Sequence, residues 1–219
     1  FPLLHDDRPN PCELFQIWLN LPAARKMAEP HFTMLWSRDI PVLSADGAEV
    51  SVVAGALPGA GAPLAPPPES WAAQADADVA IWTLKLQPGA RFALPAAQGK
   101  GTRRVLYFFA GDALTVAGHR VTDHVALELD AGQAVELLNG GTVGECLMLQ
   151  ARPIGEPVAQ YGPFVMNTQA EIQQAFGDYQ RTRFGGWPWG SDAPTHGQLA
   201  QGRFARRPGG VEETPALVA

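Results

Sequence analysis

Ala80-Ile81-Trp82-Thr83-Leu84-Lys85-Leu86-Gln87-Pro88-Gly89-Ala90 decides the fold class. Ala80, Trp82, Leu84 and Leu86 are apolar and alternate with Ile81, Thr83 and Lys85. Successive strand side chains point to opposite faces, so this stretch predicts a strand with one apolar face. Gln87-Pro88-Gly89-Ala90 then fits a turn, with Pro at its second and Gly at its third position. Further strands are predicted at Arg104–Phe109, Ala113–Ala117, Val125–Leu129, Ala134–Leu138 and Cys146–Gln150. Gly111-Asp112, Ala117-Gly118, Ala131-Gly132 and Asn139-Gly140-Gly141 punctuate them. Short strands at this spacing predict an all-β sandwich or jelly roll.

Upstream, Leu14, Phe15, Ile17, Trp18 and Leu19 predict a strand over residues 13–21 that needs a sheet to pair with. Phe32 to Val42 reads as extended, ended by the Ile40-Pro41 step, and Val50–Ala54 as another strand. Residues 56–70 carry Pro58, Pro63, Pro66, Pro67, Pro68, Gly59 and Gly61, which neither ladder into a sheet nor continue a helix. They read as a linker or long surface loop. Downstream, Thr168 and Glu171 form a capping-box pair. Ile172, Ala175, Phe176 and Tyr179 then make one apolar helical stripe, stopped at Gly185-Gly186. That stripe is expected to lie against a β-barrel. Trp187-Pro188-Trp189 is expected to dock on the body of the protein, and residues 205–219 to be disordered.

The chain has 219 residues, 46% of them apolar, and a net charge of −6. That charge argues against a phosphate-binding surface, and so against direct nucleic-acid binding. The basic run Arg203 to Arg207 reads as a solvated segment. No run reaches the ~18 apolar residues of a membrane span, and no signal-peptide pattern is visible. Cys12 and Cys146 have no metal spacing and read as reduced, buried thiols of a cytoplasmic protein, with a disulfide left open. The first residue is Phe, which sets the expectation of a cleaved or longer parent chain.

Two further strings add a family. Gln16-Ile17-Trp18-Leu19-Asn20-Leu21-Pro22, and Gly162-Pro163-Phe164-Val165-Met166-Asn167-Thr168 followed by Glu171-Ile172, resemble the pirin family of the cupin superfamily. Lys26-Met27-Ala28-Glu29-Pro30-His31-Phe32 and Arg152-Pro153-Ile154-Gly155-Glu156-Pro157-Val158 fit the same resemblance. Gly185-Gly186-Trp187-Pro188-Trp189 resembles the ending of the longer bacterial members. The resemblance implies a bicupin: a C-terminal β-barrel, a remnant of an N-terminal barrel and a short C-terminal helix. The units expected are 1–55 as that remnant, 56–70 as linker, 71–160 as a degenerate C-terminal cupin domain, 161–204 as helix and docking segment, and 205–219 as tail. It also implies a metal held by three His and one Glu in the first barrel. In pirins the last two ligands usually precede a Phe-Pro-Leu string like Phe1-Pro2-Leu3, so the expectation is that all four lie upstream of Phe1.

Cupin ligands project inward from neighbouring strands, often as a His-x-His pair. The five histidines are His5, His31, His119, His124 and His196, and no two are separated by one residue. His119 and His124 read as surface residues bracketing a turn. His5-Asp6-Asp7 lies in a polar, Pro-rich loop and is not favoured as a metal site. Acidic pairs such as Asp6-Asp7 and Glu212-Glu213 read as solvated. Residues 85–95 resemble the first cupin motif, yet Phe92 and Leu94 stand where ligands would project. No cofactor-binding or metal residue is therefore expected in this chain, and no catalytic residue is assigned. P-loop, Gly-x-Ser-x-Gly and dinucleotide motifs are missing, and Gly59-Ala60-Gly61 reads as linker rather than phosphate cradle. For the intact family member the resemblance implies Fe(II) or another divalent metal and quercetin 2,3-dioxygenase activity on a flavonol-like substrate. The alternatives are a non-enzymatic regulator acting through protein contacts, and a purely structural half of a bicupin.

Overall fold

The computed structural model describes residues 3–187, 189–191, 202–207 and 209–215. The chain divides into a barrel unit, Leu19–Glu156, and a terminal unit built from Phe1–Trp18 and Pro157–Ala219.

The barrel unit is two facing sheets. One has six strands in the order β1 (Val42–Ala45), β2 (Ala48–Ala54), β3 (Ala80–Leu86), β10 (Gly144–Ala151), β5 (Arg103–Ala110), β8 (Val125–Leu129). The other has four: β4 (Arg91–Leu94), β9 (Val135–Asn139), β6 (Leu114–Val116), β7 (His119–Val121). Every pairing is antiparallel. The predicted face of β3 is buried: Ala80, Trp82, Leu84 and Leu86 are each at most 3% exposed. They meet Val50, Val52, Leu94, Leu106, Phe108, Leu114, Leu137, Cys146 and Met148 in one apolar core. Each such large side chain stabilises the fold by about 1.5–3 kcal/mol through burial.

Residues 42–54, grouped by sequence with the first unit, instead supply the first two strands of this sheet. Asp46 (φ 51°) and Gly47 (φ 79°) make the two-residue turn that joins them. Residues 56–70 form no regular element, as expected, but they are not a free tether. Leu57 sits in the core, and Trp71 donates from Nε1 to the Arg152 carbonyl at 2.8 Å. The strand expected over 13–21 does not form. Those residues have no ladder partner among the described residues, and Leu14 is 81% exposed. Residues 37–40 make a turn, Asp39 N donating to Trp36 O, so the extended stretch from Phe32 is interrupted before β1.

In the terminal unit, β11 (Ala159–Tyr161) and β12 (Phe164–Met166) form a hairpin, followed by α1 (Gln169–Thr182). The capping box is present: Thr168 Oγ1 accepts from Glu171 N, and the Glu171 carboxylate accepts from Thr168 N. Arg183, in the left-handed region at φ 54°, ends the helix before Gly185. The stripe packs on the hairpin. Phe176 meets Phe164 at 4.9 Å and Tyr161 at 5.6 Å, ring to ring. Trp187 contacts Trp189 at 4.5 Å; Trp187 is 59% exposed and Trp189 half-buried, and Pro188 lies outside the described residues. Within the tail expected to be disordered, β13 (Ala205–Arg206) pairs with β14 (Glu212–Glu213). Residues 192–201, with His196, lie outside the described residues, as do 208 and 216–219.

Candidate functional site

The interior of the barrel unit is where a cupin would hold its ligand. β4 turns Leu94 fully inward, and Phe92 packs against the same core. On β9, Val135 and Leu137 do likewise. These side chains have no lone pair for a cation. Cys146 is the one sulfur donor there besides Met148, and burial, then Glu145, pushes its thiol up to about 12. Among the described residues no group of three or more His, Cys, Asp or Glu is placed to hold a metal. The donor set present in this barrel does not fit a divalent metal.

The sequence-flagged residues lie apart from it. His5 sits in a loop organised by Asn10, whose Oδ1 accepts from Leu4 N and His5 N at 2.8 and 2.9 Å. His31 bonds Thr33 at 2.9 Å. His119 is exposed on β7, and His124 is exposed with its ring edge-on to Phe108 at 5.7 Å. Glu212 and Glu213 pair with Arg206 and Arg207, so the acidic and basic runs of the tail face each other. Cys12 is exposed and Cys146 buried, both free, which corrects the reading of two buried thiols. No strand covers the segment that carries Cys12.

Among the described residues the buried polar side chains are Arg104, Asn139 and Gln150. Arg104 is 1% exposed. Its Nε and Nη2 donate to Gln150 Oε1, and its Nη1 to Pro95 O at 2.8 Å. Gln150 Nε2 donates to Asp78 O, while Asp78 Oδ2 accepts from Gly99 N and Thr102 Oγ1. Burial holds the Arg104 pKa below its ordinary value, opposed by the Asp78 charge. One guanidinium thus gathers the ends of β4, β5 and β10 and the loop before β3. Sequence reading missed Arg104, although it shares strand parity with the inward Leu106 and Phe108. Elsewhere in the unit Asn139 Nδ2 donates to Leu86 O, Gln87 O and Thr142 O, all within 2.9 Å. Asp112 accepts from Gly141 N and Thr142 N, bonds that hold its carboxyl below the usual range. These are structural ties within the barrel unit.

Residues 81–185 match the model of the pirin C-terminal cupin domain. Pirin-1 of Arabidopsis thaliana is 33% identical over 175 residues, covering 78% of this chain and 57% of that protein. A Pseudomonas aeruginosa protein, provisionally named a quercetin 2,3-dioxygenase, is 34% identical over 189 residues, covering 81% of this chain and 62% of its own. A crystal structure of quercetin 2,3-dioxygenase from Acinetobacter baumannii superposes with a TM-score of 0.63 at 29% identity, over 76% of this chain and 55% of that one. The chain therefore spans about three fifths of the length of these curated relatives. The domain match, the relatives and the all-β cupin architecture together place the chain in the pirin family.

Proposed function

We propose that this chain is the metal-free part of a two-barrel pirin, and that the whole protein is an oxygenase of the quercetin 2,3-dioxygenase type. Its metal, Fe(II) or another divalent ion, and its flavonol-like substrate are held by residues other than these 219. One observation carries the reading. Among the described residues, the terminal unit buries only Ala159, Ile172 and Ala205 of its apolar side chains. The same unit holds eleven of the sixteen exposed large hydrophobic residues, including Leu14, Ile17 and Trp18. A unit with so little core does not stabilise itself and calls for an apolar surface to cover it. A first barrel is such a surface. Phe92 and Leu94 support the other half of the reading, since they leave the present barrel without metal chemistry.

The setting proposed is cytoplasmic, with both thiols free; among the described residues no helix is long and apolar enough to cross a membrane. The test is an oxygen-consumption assay with quercetin, run on the 219-residue chain charged with Fe(II) and desalted. No turnover above buffer is expected, and turnover proportional to chain concentration would overturn the reading. Regulation through protein contacts draws on the same exposed Leu14, Ile17 and Trp18. It gains if a pirin joining this chain to an intact metal-bearing barrel binds metal but leaves quercetin untouched.

A further inference from the structure

The two sheets of the barrel unit have four edges, and three are blunted. β1 follows Pro41, and residues 57–61 run beside it: a Cβ on Gly59 would lie 3.5 Å from Leu43. β4 has four residues, starts at Arg91 and runs into Pro95. β7 has three residues. These are the devices by which sheets avoid pairing with other chains: short length, Pro, basic side chains and cover.

β8 has no Pro, no basic side chain and no bonded cover, and its one charged side chain is Glu128. It is five residues long and pairs with β5 without a bulge, from Arg104↔Leu129 to Phe108↔Val125. It carries no Pro, Lys or Arg, and β5 is its single neighbour in the sheet. Among the described residues no backbone group of Val125–Leu129 bonds outside that pair. Val125, Leu127 and Leu129 turn half-buried toward the core, while Ala126 and Glu128 are exposed. The outer edge is therefore an unpaired row of peptide groups on a strand without a bulge.

We propose that β8 is a self-association edge: two copies of this chain pair antiparallel through β8, joining their six-stranded sheets across a two-fold axis at Leu127. The side-chain pattern selects this partner. In that register Val125 faces Leu129 and Ala126 faces Glu128, so no like charges oppose. The flanking residues match as well. His124, exposed and edge-on to Phe108, comes opposite Asp130 of the second copy, twice over by symmetry. Asp130 spends Oδ1 on Gly132 N at 2.9 Å and keeps its other oxygen. A two-fold contact places one strand against itself, which is why a single short sequence must be complementary to its own reverse. A five-residue ladder is a small interface, so the dimer is weak and concentration-dependent.

Sedimentation velocity across a concentration series tests this with three proteins. The 219-residue chain should shift from monomer to dimer. Ala126→Glu sets two Glu–Glu oppositions at the axis and should weaken the dimer about tenfold. Ala126→Glu combined with Glu128→Lys turns both oppositions into Glu–Lys pairs and should restore it. Melting temperatures of all three should agree, since Ala126 and Glu128 are exposed. A monomer at every concentration would overturn the proposal. So would association that Ala126→Glu leaves unchanged, which would place the contact on other residues such as Leu14 or Trp18, or a double variant that stays monomeric.

Discussion

Arg104 joins Pro95, Gln150 and, through Gln150, Asp78 in the wall of an apolar barrel. Replacing it with Met strips partners from a buried amide oxygen and a carbonyl, at roughly 1–3 kcal/mol. Calorimetry should then show Arg104→Met melting lower by about 2–4 °C per kcal/mol. Adding Gln150→Leu should recover part of the loss, because removing both partners leaves less unpaired than removing one. An unchanged melting temperature in Arg104→Met would mean the tie is idle. The two thiols give a second residue-scale outcome. Burial raises Cys146 from 9.0 to about 12, whereas Cys12 is exposed. At pH 8 a thiol reagent should modify Cys12 promptly and Cys146 only as the protein unfolds. The raised value also fixes a sign: what Cys146 contributes is whole below pH 9 and is lost as pH climbs from 9 toward 12, where the unfolded thiol ionises first. Equal labelling of both thiols would contradict this. Phe92, Leu94 and the missing His-x-His were legible in sequence because they ask only which atoms carry lone pairs. Arg104 was not, because its partners lie 46 and 9 residues away.

At the scale of elements, β3 was read correctly because alternation is a local signal, and its inward residues are those the pattern named. The Asp46-Gly47 hairpin was equally local and was overlooked, although its positive φ pair is what such dipeptides supply. Leu14 to Leu19 failed for the opposite reason: a strand exists only where a partner strand does, and its own residues cannot report one. The Pro-rich 56–70 segment was readable as irregular but not as packed, since Leu57 reaches a core made by distant strands. The helix was predicted through its cap and stripe, while its seat was not, because β11 and β12 are three-residue strands with weak patterns. That seat sets a number. Phe176 is only half-buried, so Phe176→Ala should cost less than the ~3–5 kcal/mol of a fully buried ring, on the order of 2 kcal/mol. The loss should appear in helix α1 first, as faster amide exchange over residues 169–182. No change in exchange there would mean the aromatic cluster does not hold the helix.

At the scale of the molecule, the barrel unit and the terminal unit differ in kind. One has a filled apolar interior between two sheets; the other has, among the described residues, three buried apolar side chains and a run of exposed ones. The family was legible from a few short strings, one of which, Gly162 to Thr168, carries a hairpin turn and a helix cap, where few residue types fit. The function was less legible, since the proposed oxygenase activity calls for a metal for which this barrel has no fitting ligand set. Metal content measures that claim most directly. The purified 219-residue chain is incubated with excess Fe(II) without oxygen, passed through a desalting column and analysed for iron. The account predicts only traces of iron, unchanged between the chain and Cys146→Ala. One tightly held iron per chain would contradict it, and would return His5, Asp7 and His31 to consideration as ligands.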